Sequence, residues 1–155
     1  MTIRLSTKLR TNLAGDTGFG ATFANGVIDI YTGSQPATPD AAPTGTKLGR
    51  VTLASGAFTA GTATNGLTFA TAADGAISKS GVWSFNGLAV GTAGWFRFKT
   101  NAGADTDTDD SATKAQARMD GSIVTSGGDM NLSNLSIVIG APTTIDSFTA
   151  TMPGA

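Results

Sequence analysis

Five Asn-Gly or Asp-Gly steps punctuate the chain: Asn25-Gly26, Asn65-Gly66, Asp74-Gly75, Asn86-Gly87 and Asp120-Gly121. Asn, Asp and Gly tolerate the positive φ of tight turns, so each step favours a reversal of direction over a continuing helix. Between and around them lie short runs rich in β-branched and aromatic residues. These are VIDIYT (27–32), KLGRVTL (47–53), GLTFAT (66–71), GVWSF (81–85), GWFRFKT (94–100), ARMDGSIVT (117–125), LSIVIG (135–140) and TIDSFTATM (144–152). Eight short strands at this spacing predict an all-β fold, a sandwich or a barrel. In GWFRFKT, Phe96 and Phe98 share one face while Trp95, Arg97 and Lys99 share the other. TIDSFTATM alternates less cleanly: Phe148, Ala150 and Met152 line up with Asp146, opposite Ile145, Ser147, Thr149 and Thr151.

One segment reads as helix. In IRLSTKLRTNLAG, Leu5, Leu9 and Leu13 recur every fourth residue, Arg4, Lys8 and Arg10 lie off that stripe, and Gly15 is placed to end it. Residues 1–15 are therefore expected to form an N-terminal helix or arm, and 16–155 a single β-sandwich domain. The stretch 33–45 carries Pro36, Pro39 and Pro43. Proline lacks a donor and restricts φ, so this stretch predicts a long surface loop rather than a ladder interior.

At 155 residues the chain is the length of one domain. It has no Cys and no His, and all eleven acidic residues are Asp. Disulfides, zinc sites of the Cys/His kind and His-activated nucleophiles are thereby excluded, so the chain is expected not to be an enzyme and to carry no cofactor or metal. Charged residues make up 14% of the chain and the net charge is −1. That is low for a free soluble domain and suits a surface held against other protein. The absence of a basic tract predicts no nucleic-acid partner. No apolar run approaches the ~20 residues of a spanning helix, and the first residues lack a leader's apolar core, so no membrane association is expected.

The acidic run NAGADTDTDD (101–110) spaces Asp105, Asp107 and Asp109 like calcium-loop ligands. Counted from Asp105, however, position six is Asp110 rather than the turn-making Gly, and position twelve is Gln116 rather than a bidentate acid. Between two strand candidates, the run reads as a solvated hairpin tip whose like charges discourage edge pairing. Ser111 and Lys114 match a Ser-x-x-Lys pattern without its companion motifs. Trp83 and Trp95 are candidates for core or intersubunit packing, or for a face that stacks on sugar rings.

Several segments resemble a family of small tailed-phage virion proteins. They are Gly94-Trp95-Phe96-Arg97, Met119-Asp120-Gly121-Ser122, TSGGDMNL (125–132) and SIVIGAPTTIDSFTAT (136–151), with looser agreement in LSTKLRTNL, IDIYTGSQPATPDAA and KLGRVTL. The match covers most of the chain and consists of strand and turn patterns. It implies a head decoration (cement) protein, a jelly-roll-like antiparallel sandwich that forms homotrimers on the capsid surface of a virion assembled in the host cytoplasm. Its expected partners are the major capsid protein and further copies of itself. The expected contact residues are Ile3, Leu5, Leu9 and Leu13 of the arm, with Trp83 and Trp95. In the resembling chains the hairpin after the Gly-Trp-Phe-Arg strand is tight, whereas residues 101–116 lengthen it here. A tail or neck component and a carbohydrate-binding adhesin are the alternatives.

Overall fold

The computed structural model describes residues 3–101 and 116–152. Asp105, Asp107, Asp109 and Asp110, with Ser111 and Lys114, lie outside the described residues. In chain order the elements are β1 (Arg4–Leu5), α1 (Thr7–Ala14), α2 (Phe19–Phe23), β2 (Val27–Thr32), β3 (Lys47–Leu53), β4 (Thr68–Phe69), β5 (Ala76–Ser80), β6 (Trp83–Asn86), β7 (Gly91–Lys99), β8 (Arg118–Val124), β9 (Met130–Leu132), β10 (Ser136–Ile137), β11 (Pro142–Ser147) and β12 (Thr149–Thr151).

The all-β expectation holds, with strands over 43% of the described residues and helices over 10%. Strand pairing runs β7–β8–β9–β11–β6–β3–β2 and returns to β7, so these strands close into a barrel-like ring. Every contact in that ring is antiparallel except β8–β9. β1 lies along β8 and β10 along β7. A separate three-stranded sheet, β12–β5–β4, stands against the ring.

Alternation decides what fills the interior. Ile28 and Ile30 of β2, Phe96 and Phe98 of β7, and Met119 and Ile123 of β8 face inward and are buried in one cluster with Trp83, Phe85, Leu132 and Ile145. Phe98 sits among Phe19, Phe23, Phe69, Trp83 and Phe148, with ring centroids 4.5–6.5 Å away. The aromatics of α2 and of the second sheet thus plug the ring with large apolar areas.

Sequence and structure part company in four places. The leucine stripe does not run as one helix: Leu5 belongs to β1, opposite Met119, and Ser6 caps α1 by accepting from the Leu9 N–H at 3.1 Å. α2, β5 and β9 carry no clear local signal and owe their form to packing. TIDSFTATM breaks between β11 and β12, which lets both Ile145 and Phe148 be buried although their spacing would part them on a straight strand. Asn25, Asn65 and Asp74 do take positive φ, at 57°, 55° and 50°. Asp120-Gly121, by contrast, is no turn: it lies inside β8, opposite Arg97 and Phe96.

Gly121 is required there by contact. A Cβ at this position would lie 2.6 Å from the Phe96 ring. That ring is fully buried and has no room to yield. Gly121→Ala is therefore expected to lower the unfolding free energy by about 1–3 kcal/mol, the usual cost of overpacking, as read from urea midpoints.

Candidate interaction surface

The outward face of β3, β2, β7, β8 and β1 carries most of the chain's basic residues in ordered rows. Register sets Arg50 beside Asp29, Asp29 beside Arg97, Arg97 beside Asp120 and Asp120 beside Arg4. Charge alternates across five strands, the arrangement that cross-strand neighbours favour. Arg50 grips Asp29 with two bonds of 2.7 and 3.0 Å, and Lys47 and Lys99 approach the same carboxylate at 2.9 and 3.1 Å. Arg97 grips Asp120 with two bonds of 2.8 Å.

This face is not open to water. Arg97, Asp29 and Asp120 are fully buried: Asp29 lies under Arg50, Lys47 and Lys99, and the proline-bearing loop 33–45 lies against Arg97, Arg118 and Arg4. Its carbonyls take the donors left over: Ala41 from Arg97 at 2.9 Å, Pro39 from Arg118 at 3.3 Å, and Gln35 and Pro36 from Arg4. The Asp40 carboxylate receives the Thr7 backbone N–H at the start of α1, the end of a helix that favours negative charge. A row whose charges are committed to one another and to a covering loop is a fastening, not a reaction centre.

Its two carboxyls titrate differently. Burial would raise Asp29, but the hydrogen bond from Arg50 and the charges of Lys47, Arg50 and Lys99 outweigh it and hold its pKa at about 2. For Asp120, burial prevails and pushes the carboxyl upward against the pull of Arg97, Arg118 and Arg4.

The sequence-derived contact residues are mostly spent within the chain. Leu9, Trp83 and Trp95 are buried, and Leu5 and Leu13 pack partly buried against the core. The Trp83 indole N–H donates to the Ser80 carbonyl at 3.0 Å. Trp95 stacks on Tyr31 with centroids 4.5 Å apart and lies under the Arg97 guanidinium. Neither indole offers an exposed plane for a sugar ring. Ile3 alone of the six is exposed.

Exposed apolar surface lies elsewhere. Leu88 and Val90, between β6 and β7, are 61% and 69% exposed; Val138 and Ile139, between β10 and β11, are 52% and 65% exposed. Pairing of Ile137 with Gly91, carried one residue on, sets Val138 opposite Val90, and Ile139 is bridged to Gly87. Backbone bonds from Gly140 to Gly87 at 2.8 Å and from Gly87 to Ala141 at 3.1 Å lock the two segments together, and the Leu88 N–H is tied to the Leu48 carbonyl of β3 at 2.8 Å. A Cβ on Gly87 would lie 2.1 Å from the Val138 carbonyl oxygen, so only glycine permits this approach. No charged residue occurs in 80–96 or 130–145. The result is a rigid, uncharged aliphatic patch at one end of the ring. SIVIG was read as strand, and its spacing does not reveal that two of its aliphatics lie beyond the ladder.

A second apolar feature, a groove of about 470 Å³, is lined by Leu13, Phe19, Ile77, Ala150 and Met152 among others. Among the described residues, no group of three or more His, Cys, Asp or Glu is placed to hold a metal ion. No described helix is long and apolar enough to cross a membrane.

Because Asp29 titrates lower in the folded chain than in the unfolded one, unfolding takes up a proton as pH falls. Its stabilisation is present above about pH 4 and is lost toward pH 2. The shift amounts to about 2 kcal/mol. Asp120, shifted upward, works in the opposite sense, so the comparison that isolates Asp29 is with Asp29→Asn. That variant is expected to be less stable by about 3–5 kcal/mol at neutral pH and to show a flatter decline between pH 4 and 2 in denaturant titrations.

No protein-family model, curated protein or solved structure matches the chain.

Proposed function

We propose that the chain is a structural virion protein, a head decoration protein of jelly-roll type that binds the major capsid protein lattice of a tailed phage. The observation that carries this reading is the rigid patch of Leu88, Val90, Val138 and Ile139. Exposed aliphatics scattered singly need no explanation; four joined on hydrogen-bonded segments mark a protein contact. The low overall charge and the segmental resemblance of residues 94–97, 119–122, 125–132 and 136–151 to tailed-phage virion proteins support the same reading.

The mechanism follows from multivalency. Each Leu, Val or Ile fully buried at a contact contributes roughly 1.5–3 kcal/mol of transfer free energy, before the cost of association. A homotrimer presents three patches and three arms to the shell at once, so contacts that are weak singly act at high effective concentration. Backbone locked in advance lowers the ordering cost. Leu13, which lines the groove with Ile77 and Met152, and the exposed Ile3 belong to the same proposal as further contacts.

The test is occupancy of native particles, measured by quantitative mass spectrometry against the major capsid protein. About one copy per shell subunit is expected of a decoration protein. A handful per particle would place the chain in the neck or tail, and absence would overturn the virion reading. Leu88→Ser with Val138→Ser is expected to cut occupancy at least tenfold while altering stability by only about 0.5 kcal/mol per site, since both side chains are exposed.

A further inference from the structure

β12 ends the second sheet with an edge that no described strand pairs. β5 bonds it through alternate residues: the Lys79 N–H donates to the Phe148 carbonyl at 3.1 Å, the Met152 N–H donates to the Gly75 carbonyl at 2.8 Å, and Ala150 stands opposite Ile77 between them. Backbone groups alternate sides along a strand, so the N–H and carbonyl of Thr149 and of Thr151 point away from β5. β9 flanks β11 on that side as far as Asn131, opposite Ser147, and no described strand continues beside β12. Thr149 and Thr151 are both exposed. Edge strands are commonly guarded by lysine or proline, and β12 carries neither.

The same strand helps to build the apolar groove. Ala150 and Met152, which alternate with the two threonines, line it together with Ile77 of β5, Leu13 of α1 and Phe19 of α2, and no charged side chain does. Its rim is acidic. Asp16 lies between the lining residues Leu13 and Gly18, and Asp74 between Ala72 and Gly75. Both are exposed, and neither is paired with a cation among the described residues.

We infer that the β12 edge and this groove together take up an extended segment of another protein, one that alternates aliphatic side chains and carries lysine or arginine at its flanks. The segment pairs its backbone with Thr149 and Thr151, as strand addition requires. Every second side chain then turns toward the groove, and the flanking cations meet Asp16 and Asp74. A helix would leave the donors and acceptors of the edge to water, and an acidic segment would face two like charges. The inference rests on the reading of the groove as a contact and names its occupant; it does not require that partner to be a shell protein.

The test titrates the full ¹⁵N-labelled chain with a blocked Lys-Val-Thr-Val-Thr-Val-Lys peptide and follows amide hydrogen exchange. Exchange at Thr149 and Thr151 is expected to slow about tenfold at saturation, with shifts at Leu13 and Met152. The same peptide flanked by aspartates is expected to bind several-fold more weakly. Asp16→Asn with Asp74→Asn is expected to erase that difference, and high salt to shrink it. Thr151→Pro removes an outward donor, which an edge strand tolerates, and is expected to abolish binding; should it not fold, a peptide N-methylated at its valines blocks the same pairing from the other side. Unchanged exchange at Thr149 and Thr151 would overturn the inference. So would protection that rises with protein concentration alone, which marks a second copy as the occupant. Shifts at Leu13 and Met152 without protection of the threonines mark a helix or an acyl chain and overturn it too, as does equal binding of the basic and acidic peptides. Occupancy of native particles is measured separately, so this inference and the virion role fail independently.

Discussion

Arg97 and Asp120, both without contact to water, form the joint on which the rest of the fold depends. They sit at the β7–β8 pairing, and that pairing turns an open sheet into a ring. An isolated ion in this position would be prohibitively costly; a bidentate pair with one further donor given to the loop at Ala41 is tolerable. The pair does not add much stability over an apolar pair of the same shape. What it adds is discrimination: sliding β8 along β7 by one residue would face Arg97 with Met119 or Gly121 and leave two charges buried without partners. Register, ring closure and the seating of loop 33–45 are settled by one geometry.

Asp29 does the same for β2 and β3 with three cations instead of one. The two carboxyls stand two strands apart on the same face, with Arg97 between them, yet their protonation is pulled in opposite directions. The difference lies in the number of cations held at bonding distance. One bidentate arginine fails to offset burial at Asp120; arginine with two lysines exceeds it at Asp29.

Much of this was legible in the sequence. β2 and β3 have the bounds that composition and turn residues indicate, and the split of Phe96 and Phe98 from Trp95, Arg97 and Lys99 is the split between core and outer face. What local pattern does not convey is that the outer face is buried too. Alternating polar residues ordinarily mean solvent, and the loop that covers Arg97 comes from some sixty residues earlier in the chain. Leu5 was misplaced for a related reason: a spacing of four is helical only if nothing competes, and the ladder with Met119 competes. The patch at Leu88 and Val138 was missed because it is made by the meeting of two segments, each unremarkable alone.

The closure of the ring has one more consequence. β7 and β8 meet at Lys99 and Arg118, and Asn101 is tied back by its side chain to Gly61 and Thr62. The ends of the connection between these strands are therefore fixed by pairs that do not depend on what joins them. Lengthening such a connection costs only the logarithm of its length, about 0.6 kcal/mol for each doubling. The stretch between Asn101 and Gln116 is thus where evolution is freest to insert sequence without disturbing the barrel. It is equally the place where a foreign epitope can be grafted onto the barrel.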